Sequence, residues 1–133
     1  MANEDAAGSL GSEAVKDFVR AYFKAVNEER WDDVLALYHE DGTLHVPAVR
    51  TKHGHDRIRP FYEDIGKRFV KHVAEIRLVL AEGGLDDAVA AATVAYDGVD
   101  RNGKPVEVFA ADNFRIEDGR IRELRIIFDT GRM

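Results

Sequence analysis

Residues 104–129 read KPVEVFAADNFRIEDGRIRELRIIFD. Two β-rich runs flank Glu117-Asp118-Gly119. Asp-Gly between apolar runs is a strong hairpin signal, because glycine adopts positive φ without steric cost. Val106, Val108, Phe109, Phe114 and Ile116 lie on the first run; Ile121, Leu124, Ile126, Ile127 and Phe128 lie on the second. Apolar residues occur on both parities, which predicts a sheet covered on both faces. Asp112, in the middle of the first run, breaks the pattern. A carboxylate inside a covered strand is costly unless paired, hydrogen-bonded or protonated.

Composition narrows the classes. A chain of 133 residues is one domain with room for a core. The net charge of −6 argues against nucleic-acid or anionic-membrane partners. With no cysteine, disulfides and thiol chemistry are excluded. No apolar run approaches the roughly 18 residues that cross a bilayer. The opening MANEDAAGSLGSE lacks the basic and apolar regions of a signal peptide, so residues 1–11 read as a disordered tail and the protein as cytoplasmic. Residues 12–133 form the domain.

From Ser12, a capping residue, Val15, Phe18, Val19, Tyr22, Phe23 and Val26 recur at helical spacing. A second, shorter helix begins at Asp32-Asp33 and stops at Asp41-Gly42. Residues 43–46 read as a short strand closed by Pro47, and residues 51–54 as a loop. A third helix is predicted over 55–69, with Pro60 in its first turns. Strands follow over 72–80 and 89–96, before the hairpin. Helices first and antiparallel strands later argue for an α+β domain with helices on one sheet face.

Several strings in this order resemble the nuclear transport factor two-like superfamily, in particular its SnoaL-like polyketide cyclase and ketosteroid isomerase branches. They are residues 31–38 (WDDVLALY), 40–43 (EDGT), His53-Gly54, 112–121 (DNFRIEDGRI) and Phe128-Asp129-Thr130. The resemblance implies a cone-shaped, strongly curved mixed or antiparallel sheet wrapped around three N-terminal helices, a cystatin-like α+β roll. It also implies an apolar pocket and a homodimer formed through the outer sheet face.

The resemblance implies that Asp112 is a protonated acid donating a hydrogen bond to a dienolate oxygen, with Tyr22 as its partner in an oxyanion hole. The competing readings are a structural acid and a core tyrosine. Where the isomerase carries its general-base aspartate, before a proline, this chain has Val46, and valine cannot accept a proton. His45 is adjacent and becomes a candidate base if a bulge turns it inward. Asp129 resembles an acid that transfers protons near the sheet's end in the SnoaL-like and limonene-epoxide-hydrolase branches. With Asp97 it offers a water-activating alternative, although residues 93–96 lack the matching arginine. Trp31, Tyr38, Val46, Phe61, Phe69 and Phe114 are candidates for the substrate-binding wall. His53 and His55 have no further ligands at metal spacing, so no metal is expected. The basic string Arg57, Arg59, Lys67, Arg68 and Lys71 reads as a solvated helix face that could meet an acidic substrate group. The expectation is a cofactor-free isomerase or cyclase acting on a small apolar carbonyl compound through an enolate. The alternative is a non-catalytic binding module without the base.

Overall fold

Three helices and a six-stranded sheet make up the computed structural model, which describes residues 2–129, with side chains from residue 11 onward. The elements in chain order are α1 (Ala2–Asn27), α2 (Trp31–Ala36), β1 (Tyr38–His45), β2 (Lys52–His53), α3 (His55–Arg68), β3 (Phe69–Gly84), β4 (Asp87–Asp100), β5 (Pro105–Glu117) and β6 (Arg120–Phe128). The strand order is β2-β1-β6-β5-β4-β3. β1 and β6 run parallel; every other neighbouring pair is antiparallel. This is the open, mixed-sheet α+β cone expected from the sequence.

The hairpin from which the reading began joins β5 to β6, with positive φ at both Asp118 and Gly119. The differences lie nearer the N-terminus. α1 reaches back to Ala2, past the cap expected at Ser12 and through the stretch expected as tail. Three alanines in that stretch favour helix. α2 ends at Ala36, and Asp41-Gly42 lies inside β1. Tyr38 pairs with Ile121, and a bulge absorbs the residues before Thr43. Residues 52–53 are a short strand on β1, where a loop was expected. Pro60 sits inside α3, in its second turn.

Period-2 alternation gives the sheet two unlike faces. Ala88, Ala90, Ala92 and Val94 of β4 and Val108, Asp112, Phe114 and Ile116 of β5 are buried inward. Val15, Val19, Tyr22, Phe23 and Val26 of α1 belong to the same core, and the small β4 side chains let the helix approach. The outer face is different. Val73, Leu78, Leu80, Val89, Phe109 and Ile127 are exposed, so the coverage expected on both faces holds for the inner one alone. Among the described residues, no helix is long and apolar enough to cross a membrane.

Candidate active site

α1, α3 and the inner faces of β3 to β6 enclose a cavity of about 320 Å³, within the size range of small-molecule sites. Its wall is mostly apolar: Phe23, Val26, Val46, Phe61, Val108 and Phe128 contribute to it. Phe69 reaches the wall by crossing β4 at Gly98, where a Cβ would come within 2.8 Å of the Phe69 ring.

Asp112 enters this wall from the middle of β5. It is 4% exposed and, among the described residues, the one charged residue in the buried core. Burial raises its carboxyl pKa from the ordinary carboxylate range to about 7. At neutral pH the group is therefore divided between acid and carboxylate.

Beside it stand three tyrosines. Tyr62 Oη lies 2.6 Å from Tyr22 Oη and 2.6 Å from Tyr38 Oη, all buried. Burial raises all three phenol pKa values well above 10, and the Asp112 charge adds to the rise. They remain protonated at neutral pH. Three hydroxyls joined by two hydrogen bonds leave one proton over. Tyr22 and Tyr62 line the cavity and Tyr38 does not. With Tyr38 donating to Tyr62, the spare proton belongs to Tyr22 or Tyr62, both at the cavity wall. The opposite direction would strand a donor behind it, at a cost.

Tyr22, Asp112, Val46, Phe61 and Phe69 thus lie together on the cavity wall. Tyr38, Trp31, Phe114, His45, Asp129 and Asp97 do not. Tyr38 is the far end of the phenol chain. Trp31 stacks on Tyr62 with ring centroids 5.9 Å apart, outside the lining. Phe114 packs edge-on against Tyr22 and Phe23, one layer deeper. His45 faces away from the cavity, as strand alternation demands with Val46 inward: its Nδ1 is 2.9 Å from Thr51 Oγ1 and its Nε2 3.6 Å from Glu123. Asp129 and Asp97 are exposed and outside the lining. His53 meets Thr43, and His55 meets the Tyr38 carbonyl. Among the described residues no group of three or more His, Cys, Asp or Glu side chains could hold a metal.

Tyr62 was legible in the sequence only as an apolar position of the third helix. No local string marks it, because its partners lie 40 and 24 residues away. A second cluster borders the cavity at Tyr96, whose ring lines it. His72 stacks on Tyr96 and reaches Glu29 at 3.2 Å. His72 Nδ1 and Tyr96 Oη are buried without a hydrogen-bond partner among the described residues. Glu29, at φ 55, is packed so closely on Gly66 that a Cβ there would meet its carboxylate at 2.5 Å.

The SnoaL-like domain model matches residues 19–124. The chain belongs to the SnoaL-like domain family. Solved structures of the same fold extend the likeness. An NTF2-like protein of unknown function from Burkholderia pseudomallei is 21% identical, with 87% of this chain and 91% of that one covered and a TM-score of 0.77. An LEH-like epoxide hydrolase of M. tuberculosis is 20% identical, with 92% and 87% covered and a TM-score of 0.76. A candidate polyketide cyclase from Xanthomonas campestris pv. campestris is 18% identical, with 91% and 94% covered and a TM-score of 0.71. No curated protein matches the chain. At these identities the neighbours establish the cone fold of this SnoaL-like domain, and the chemistry has to be argued from its own cavity.

Proposed function

We propose that the SnoaL-like cavity binds a small apolar carbonyl compound and moves a proton through its enolate without a cofactor. Tyr22 donates its hydroxyl to the carbonyl oxygen, and the bond strengthens as negative charge develops there. Tyr62 and Tyr38 hold that phenol by the chain of hydrogen bonds behind it. Asp112 takes the proton from one carbon and returns it to another. The observation that carries this reading is a lone buried carboxyl with a pKa of about 7 on the wall it shares with Tyr22. A catalytic acid-base group works best when its pKa lies near the operating pH. His45 and Asp129, the other base candidates, are outside the cavity.

The second reading follows from Val46. With no carboxylate at that position, Asp112 could instead stay protonated and serve as a second donor beside Tyr22. The cavity would then hold a carbonyl ligand and perform no chemistry. Hydrogen-deuterium exchange at the carbon next to the carbonyl of cyclohexanone, followed by NMR in D2O, separates the two. Proton shuttling predicts exchange above the buffer rate that rises through about pH 7 and disappears in Asp112→Asn. Exchange no faster than buffer at every pH would leave the binding module as the reading.

We also propose a homodimer formed through the outer sheet face. Leu78, Leu80, Val89, Phe109 and Ile127 stand exposed there, and apolar patches of this kind mark interfaces. Sedimentation of the wild type against Phe109→Lys tests it: dimer in the first and monomer in the second is expected. A monomeric wild type at micromolar concentration would refute it.

A further inference from the structure

Five basic residues follow one another from Arg57 to Lys71, and the fold treats them unequally. Arg59 Nη2 is bonded to Asp32 at 2.7 Å. Arg57, Lys67 and Lys71 are exposed and outside the cavity lining. Arg68 alone among the five lines the cavity. Its side chain is also 57% exposed, so it stands on the rim, whereas Asp112 lies inside. At the end of a helix an arginine often serves to satisfy the last carbonyls. Here Arg101 does that, donating to the Gly66 and Lys67 carbonyl oxygens at 2.8 and 2.9 Å. Among the described residues, the one ion pair of Arg68 is with Asp64, one helical turn earlier, at 3.7 Å. That is too long for a hydrogen bond, and exposed pairs at this spacing are weak.

We propose that Arg68 selects ligands by an anionic group, so that this SnoaL-like cavity takes an apolar ketone with a carboxylate at its outer end. The inference rests on the reading that the carbonyl oxygen sits at the Tyr22 hydroxyl. A guanidinium with its donors uncommitted matches a carboxylate with two parallel hydrogen bonds. At the rim the anion keeps part of its hydration, so the pairing avoids the desolvation that a buried charge would suffer. The apolar wall between rim and floor fits the body of the ligand. Asp64 opposes an anion and sets the preference below what Arg68 alone would give.

Two rod-shaped phenols, whose hydroxyl stands in for the enolate oxygen, test this on the full chain: 4-hydroxybiphenyl and 4′-hydroxybiphenyl-4-carboxylate. Fluorescence titration at neutral pH and low salt is expected to show the carboxylate binding about fivefold more tightly. Arg68→Gln should bring the two affinities together, Arg68→Lys should restore part of the gap, and Asp64→Asn should widen it. High salt should narrow it. Equal affinities in the wild type, or an undiminished gap in Arg68→Gln, overturns the proposal. Tyr22→Phe should weaken both probes alike. If it changes neither while the gap persists, the oxyanion reading fails and the role of Arg68 stands. If neither probe binds the wild type, both readings fail.

Discussion

The cone has two ends built from the same strands, and they are packed in opposite ways. At one end Val15 and Val19 of α1, Ala88 and Ala90 of β4, Ile116 of β5, and Ile121 and Leu124 of β6 belong to one buried core, with almost no exposed surface. Further along each element the side chains become the cavity wall: Tyr22 and Val26, Val94 and Tyr96, Val108 and Ala110, Ile126 and Phe128. Asp112 and Phe114 are inward neighbours on β5 and mark the change. Phe114 closes the packed end; Asp112 opens the other. The packed end supplies stability, and the open end can then tolerate a desolvated acid and unfilled space.

The largest expected effect breaks the packed end. Leu124→Ala removes side-chain atoms from a site with no room to relax and should destabilise the fold by about 3 kcal/mol. Ile126→Ala, two residues on and facing the cavity, should lose only about 1 kcal/mol, since its outer atoms have fewer partners to forfeit. Urea unfolding of the two variants reads the difference directly. Equal losses would mean that the two ends are packed alike.

The next effect sharpens the contrast through pH. An acid whose folded pKa is raised binds more protons folded than unfolded between the two pKa values. Stability contributed by Asp112 therefore falls as pH rises from about 4 to about 7, and the penalty is complete above that window. The interval of about three pKa units corresponds to roughly 4 kcal/mol. Asp112→Asn should accordingly be more stable than the wild type near pH 8 by about 2–4 kcal/mol, and the two should converge near pH 4. Thermal unfolding across that range checks both sign and window. A gain that is independent of pH would show that the carboxyl is not desolvated.

The smallest effect is expected outside the cone. His45→Ala should shift stability by no more than about 0.5 kcal/mol and leave the cyclohexanone exchange rate unchanged. A clear loss of exchange would return His45 to the candidate bases, through a movement of β1.

Much of the architecture was legible because it rests on local signals. The Asp-Gly turn, the helical spacing in α1 and α3 and the β-rich runs each need only a short window. α2 and β1 were harder: Asp41-Gly42 reads as a stop, yet the parallel pairing of Tyr38 with Ile121 pulls that segment into the sheet. This is a long-range contact overriding a local preference. Within the site, Asp112 stood out because a carboxylate in an apolar run violates the pattern. Alternation placed Val46 inward and His45 outward. Tyr62 was hidden among the ordinary residues of a helix, and Arg68 was one of five basic residues that the sequence could not tell apart, since their roles depend on what the other elements bring to them.

The margin at β3 carries one more consequence. A long border strand leaves backbone groups ready to accept another strand. In β3, register irregularities after Phe69 and Ile76 interrupt that row, and Lys71, Glu75, Arg77 and Glu82 stud it with exposed charge of both signs. Strand-by-strand growth from this side is thereby discouraged. The proposed pairing through the broad hydrophobic face would then close on itself and not grow as an open-ended fibre.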